Sequence, residues 1–168
     1  FVSVGNIMVQ SVINSFGAVI MAAYAAAIKL NNMVITTLMT LGNGVSSFVA
    51  QNIGAGKVDR VKSGYRNGLG IAFVFIIPVT ILFFFFGRFL LIMFVSADET
   101  DIIEAGRSFQ TIISPFYLVV ALKIITDAVL RGMGRMLPFV ISTFADLILR
   151  VVLAFVLSFV FGYIGIWY

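Results

Sequence analysis

From Asn67 to Phe89 the chain is apolar at almost every position, with Arg88 as its single charge and GIAFVFIIPVTILFFFF across its middle. A helix rises about 1.5 Å per residue, so roughly 20 such residues cross a bilayer core of about 30 Å. The pattern repeats and predicts five membrane helices, at about 1–16, 25–52, 65–95, 101–130 and 137–161. Ile166-Trp167-Tyr168 reads as the start of another apolar segment, so the chain is expected to be a piece of a longer protein. It begins at Phe1, with no basic stretch or cleavage site of a signal peptide. Pro78 should kink the third segment, whose end from Arg88 to Val95 would tilt or lie at the membrane surface. Pro138 suits the first turn of the fifth. The runs are too long for strands and lack their alternation, so the fold class is all-α, a polytopic transmembrane bundle.

Charge orders the loops. Lys57, Asp59, Arg60, Lys62 and Arg66 lie between the second and third segments, and Arg131 and Arg135 between the fourth and fifth. Asp98, Glu99, Asp101 and Glu104 lie between the third and fourth. Basic loops stay in the cytoplasm. The first two loops are therefore inside, the acidic one outside, and the turn near Gly17 outside. The localisation expected is multi-pass, in the inner (plasma) membrane.

Two helices carry polar stripes. Lys29, Asn32, Thr36, Thr40, Asn43, Ser47 and Gln51 recur every three or four residues along the second segment. Asn6, Gln10 and Asn14 do so along the first. An amide facing lipid costs several kcal/mol (~2–7). Either the stripes wall a water-filled cavity, or they glue helices together through hydrogen bonds, with Gly42, Gly44, Ser46 and Ser47 allowing close approach.

Asp146 and Arg150 stand one turn apart on the fifth segment, the acid about 13 Å past Leu137 and so near mid-membrane. They are either a structural ion pair or a proton-sensitive element. Lys123, Asp127 and Arg131 form a second ladder, near the inner end of the fourth segment, which reads as structural. Gly54-Ala55-Gly56-Lys57 superficially resembles a phosphate loop, but lacks the upstream glycine and the following Ser/Thr. It reads as a helix stop and cytoplasmic anchor. Gly64 and Gly68 have the spacing of close helix packing.

Composition removes whole classes of function. The chain is 61% hydrophobic and 11% charged, with neither cysteine nor histidine. Disulfides, Cys/His zinc sites and Ser-His or Cys-His catalysis are excluded, an intramembrane protease using histidine among them. An enzyme would need convergent acids, bases or metal ligands, so none is expected, nor any metal or cofactor. Net charge +4 fits basic loops, and no nucleic-acid motif is present.

Particular residues resemble a known family. LGNGVSSFVAQNIGAGK, Leu41 to Lys57, followed by DRVKSGYRNGL, is similar to the signature of the multidrug and toxic compound extrusion (MATE) transporters. VLRGMGRMLPF, Val129 to Phe139, is similar to that family's LRGxG…P segment, and Asp146 and Arg150 fall where it tends to carry an acid-arginine pair. Asn14-Ser15-Phe16-Gly17 resembles the outer end of the helix opening the second half.

The resemblance implies a twelve-helix, two-lobe transporter of which this chain is helices seven to eleven, missing its amino-terminal lobe. It implies a small-molecule substrate and alternating access driven by protons or sodium. The substrate cavity would draw on Asn6, Gln10, Asn14, Asn32, Thr36, Thr40, Asn43 and Tyr117. Asp146 and Arg150 would serve as ion pair or coupling element. Sodium-dependent members place acids deep in the first and fourth helices of this lobe, where this chain has amides and the acid-free stretch Tyr117 to Leu122. Coupling is then expected to rest on an acid of the missing lobe. The rivals are a lipid-linked saccharide flippase, which would want more mid-membrane cations, and a non-transporting structural subunit.

Overall fold

A computed structural model describes residues 17–96 and 98–161, without the side chains of 150, 151 and 153–161. The described residues are all-helical: α1 Ala18–Gly54, α2 Val58–Ile92, α3 Thr100–Ile113, a 3-10 turn Ser114–Phe116, α4 Tyr117–Gly132 and α5 Met136–Phe161. Ala18–Gly54, Val58–Ile92 and Thr100–Gly132, the last taken through the 3-10 turn, are each long and apolar enough to cross a bilayer. Pro138 is the third residue of α5, where a helix asks for no intrahelical N–H bond.

Glycine ends two of these helices. Gly56 (φ 71°) lets Lys57 N–H reach Asn52 C=O at 2.8 Å, while its own N–H reaches Ile53 C=O at 3.0 Å. Gly134 (φ 70°) does the same for α4, with Arg135 N–H on Leu130 C=O at 3.0 Å and Gly134 N–H on Arg131 C=O at 3.0 Å. Both are left-handed caps that use up carbonyls the helix leaves open. The Gly54–Lys57 stretch is thus the stop of α1, with its cation just beyond.

Two expectations need correction. The fourth segment is not one helix. Pro115 has no N–H for the carbonyl of Thr111, and the helix tightens there into a 3-10 turn. The buried Ser114 hydroxyl donates to that same carbonyl at 3.3 Å. The kink expected at Pro78 is found elsewhere in the third segment, and Pro78 stays inside α2 on an exposed face. The non-helical residue is Phe86 (φ −112°, ψ 17°). Next to it, Gly87 leaves open the space that the buried Gln110 amide of α3 fills. The non-helical geometry in α2 thus falls at Phe86, eight residues past Pro78.

The chain forms two compact units. Among the described residues, one comprises 17–31, 81–96, 98–114 and 143–161. In it Gly106 lies against Leu91 and the Ala23 carbonyl, and Tyr24 meets Phe109 edge-on, with centroids 5.7 Å apart. The other comprises 32–80 and 115–142. There α1 presents Val34, Leu38, Gly42, Val45 and Val49 to its neighbours, all buried. Gly68 of α2 lies against Val45, and Gly42 lies against Ile124 and Ala128 of α4. Gly132 is the tightest contact with backbone: a Cβ there would stand 2.5 Å from the Ser46 carbonyl and 2.8 Å from Val49 Cβ. Gly44, on the other side of α1, has open space.

This contrast gives a prediction for the full-length parent. Gly132→Ala forces α1 and α4 apart and should cost about 1–3 kcal/mol, the usual range for overpacking. Gly44→Ala meets nothing and gains helix propensity, worth up to about 1 kcal/mol. Melting temperatures in detergent should fall for the first variant and hold or rise for the second.

Candidate functional site

Small apolar residues and glycines give α1 its packed side. The polar side is what remains. Asn32, Thr36, Thr40, Asn43 and Ser47 are all exposed, about half a turn from the Val34, Leu38, Val45, Val49 row. The Thr40 hydroxyl donates to the Thr36 carbonyl and the Thr37 hydroxyl to the Met33 carbonyl, each at 2.9 Å. A threonine so bonded has already spent its donor. An asparagine amide has two donors and an acceptor to satisfy. Asn32 and Asn43 are therefore what call for water or a ligand on this face. Thr40 and Gly44 also border an open groove of about 400 Å³ along α1 and α2, in which Asn67 is a further polar side chain.

At Asn43 the stripe meets α4. Arg131 Nη2 donates to Asn43 Oδ1 at 3.4 Å, and the guanidinium lies 5.6 Å from the centroid of the Phe139 ring. One turn back, Lys123 Nζ holds Asp127 Oδ2 at 2.9 Å. Ser142 of α5 donates to the other oxygen, Oδ1, at 3.5 Å. Tyr65 of α2 and Thr126 share a hydrogen bond of 3.0 Å. Polar contacts thus bind α4 to α1, α2 and α5, all within the 32–80 and 115–142 unit. Among the described residues no cluster of three His, Cys, Asp or Glu side chains could hold a metal ion.

The expected site residues are placed unequally. Asn32, Thr36, Thr40 and Asn43 share the exposed face of α1. Tyr117 is 1% exposed and is a core side chain of α4 rather than part of that open face. Asp146 is exposed on α5. The side chain of Arg150, and Asn6, Gln10 and Asn14, lie outside the described residues. Sequence spacing found the Lys123-Asp127-Arg131 ladder, but not its partners Asn43 and Ser142, which lie far along the chain and are joined to it only by the fold. It also missed Gln110, which is fully buried with neither amide atom hydrogen-bonded.

Comparison with known proteins decides the family. The MatE family model matches residues 1–156. The chain belongs to the MatE family. These are membrane transporters, not enzymes. The chain is 35% identical over 158 residues to the probable multidrug resistance protein YoeA of Bacillus subtilis (strain 168), covering 94% of this chain and 34% of that protein. It is 27% identical over 168 residues to the probable multidrug resistance protein NorM of Thermotoga maritima, covering 98% and 36%. This MatE chain thus spans about a third of the length of the curated relatives it matches. Its fold is similar to a solved MOP superfamily transporter from Pyrococcus furiosus Vc1, with TM-score 0.90 at 18% identity over 99% of this chain and 37% of that one.

Tyr117 separates packing from contact with cargo. Tyr117→Ala empties a buried site and should cost about 3–5 kcal/mol, as large aromatic truncations do. Its melting temperature should fall steeply, and transport should drop alike for every compound tested. Thr36→Val should leave the melting temperature of the parent near the wild-type value.

Proposed function

We propose that this chain is the greater part of the carboxy-terminal lobe of a twelve-helix secondary transporter. The parent exports drug-like or cationic amphipathic compounds across the inner (plasma) membrane, in exchange for protons or sodium. Family membership supports the class, and the names of the Bacillus subtilis and Thermotoga maritima relatives support the substrate type. One observation carries the reading to these residues: an apolar membrane helix keeps Asn32, Thr36, Thr40 and Asn43 exposed together while packing through its opposite side.

Such a face suits cargo of varied shape. Amides and hydroxyls supply donors and acceptors in several directions, and Met33 and Met39 beside them are exposed, flexible and polarisable. Asn6, Gln10 and Asn14 are further candidates for contact with cargo, and Asp146 with Arg150 for an ion pair or coupling element. The missing lobe would supply the facing wall, so the chain alone would not transport.

The test is flux in vesicles holding the purified full-length parent. An imposed proton or sodium gradient should drive ethidium against its own gradient. Asn32→Leu and Gln10→Leu should change the relative rates for ethidium, tetraphenylphosphonium and norfloxacin while leaving protein yield intact. Flux under neither gradient would remove the transporter reading. Equal losses for all compounds, tracking loss of folded protein, would return the stripe to a packing role.

A further inference from the structure

The groove along α1 and α2 has a charged end. Phe48 of α1 lies against Gly64 of α2, where a Cβ would stand 2.5 Å from Phe48 Cε1. The Arg60 guanidinium, one turn before Gly64, lies over the same ring, 5.7 Å from its centroid. Arg60, Gly64, Gly68 and Ile71 recur every three or four residues and so share one face of α2. Phe48, Gly64, Gly68 and Ile71 all line the groove of about 400 Å³. An exposed cation therefore stands at the head of an open apolar trough, all of it within the 32–80 and 115–142 unit.

The trough has a definite length. Ile71 is eleven residues past Arg60, about 16 Å along the helix. A bilayer core is about 30 Å thick. The trough thus reaches through about one leaflet, whereas a neighbouring membrane helix needs a surface running the full thickness. Its side stays open at Gly44, where a Cβ would meet nothing within 4 Å. Asn67, exposed within it, lies about 10 Å along α2 from Arg60 and brings two amide donors.

Charge says which amphiphile fits. Lys57, Arg60, Lys62 and Arg66 crowd this end, with Asp59 as the one acid among them. Among the described residues no carboxylate pairs with Arg60. A guanidinium stacked on a ring keeps its in-plane N–H donors free, and a phosphate accepts two of them side by side. Resting on the assignment of the basic loops to the cytoplasmic side, we propose that this groove binds an anionic phospholipid of the cytoplasmic leaflet. Its phosphate sits at Arg60, and one acyl chain runs along Gly44, Gly68 and Ile71. Asn67 donates to the ester carbonyls, the next polar atoms below the phosphate. A head of net negative charge, as in phosphatidylglycerol, is preferred, because choline sets its own cation against Lys57, Lys62 and Arg66. Basic pockets between membrane helices on the cytoplasmic side attract anionic lipid in this way. Thr40 marks where the groove gives way to the Asn32–Asn43 face, so the chain covers the flank of α1 and leaves Asn32, Thr36 and Asn43 open.

The test is lipid binding to the delipidated full-length parent in detergent, read by native mass spectrometry. It needs neither cargo nor gradient, so its failure leaves the transporter reading standing. Phosphatidylglycerol should stay bound at concentrations where phosphatidylcholine with the same chains does not. Arg60→Gln should weaken phosphatidylglycerol roughly fivefold, the usual worth of one basic residue beside an anionic membrane surface, and remove most of the preference. Arg135→Gln, in the other basic loop, should not. Gly44→Leu should fill the trough and displace both lipids; should it fail to fold, Ile71→Trp fills the same space from α2. Glycerol phosphate, a head without chains, should not compete. Equal retention of the two lipids by the wild type, equal losses in Arg60→Gln and Arg135→Gln, or retention unchanged by a filled trough overturns the proposal. So does competition by glycerol phosphate, which would reduce the site to a bare anion contact. A new oligomeric state in Gly44→Leu with lipid retention intact would make the groove a contact between copies, and overturns it too.

Discussion

A polar group in hydrocarbon must find a partner or reach water, because the bilayer core offers neither. That constraint decides how α1 is used. Its backbone is satisfied by the helix, and Thr37 and Thr40 by carbonyls one turn back. The amides of Asn32 and Asn43 each bring two donors and an acceptor, and the one bond seen among them reaches outside α1, from Arg131 to Asn43. The helix accordingly splits into a small, apolar side for packing and a polar side left open. Gly42 on the packed side against Ile124 and Ala128, and Gly44 on the open side against nothing, show the division two residues apart.

The same constraint shapes the other helices. Pro115 strands the Thr111 carbonyl and Ser114 answers it. Gly56 and Gly134 fold the chain back on carbonyls at the ends of α1 and α4. Asp127 is met on one oxygen by Lys123 and on the other by Ser142. Exceptions are Gln110, with both amide atoms buried and unbonded beside the bend at Phe86, the Thr80 hydroxyl and Arg131 Nε. Each repair is local in space, yet several join helices, so polar groups here help to specify which helix lies beside which. In lipid this matters more than apolar area, since a leucine gains little by leaving lipid for protein.

Much of this was legible from spacing alone. Apolar runs bounded by basic and acidic loops marked the helices, and the three-to-four period marked the stripe. What spacing could not reveal was which face packs. Gly42 and Gly44 stand two residues apart with opposite surroundings, and only the position of α4 distinguishes them. Tyr117 illustrates the same limit: an aromatic suited to a cavity proved to be buried core. The Pro115 break was missed because an apolar run reads as continuous through a proline, whereas the kink expected at Pro78 falls at Phe86. One proline coincides with a change of helix type and the other faces outward on a helix that continues past it. The ladder on α4 was visible as a pattern, but its meaning came from Asn43 and Ser142, contacts that no local rule supplies.

The central claim is that the Asn32–Asn43 face of α1 meets water and cargo rather than lipid, with Asn43 at its border with α4. Single cysteines in a cysteine-free full-length parent test it directly, read by the rate of reaction with a membrane-impermeant, water-soluble thiol reagent. Cysteines replacing Asn32, Thr36, Thr40 and Asn43 should react, and ethidium should protect them. Those replacing Val34, Leu38 and Val45 should not react. Equal inertness of both rows, or reaction of the valine and leucine row alone, would contradict the account.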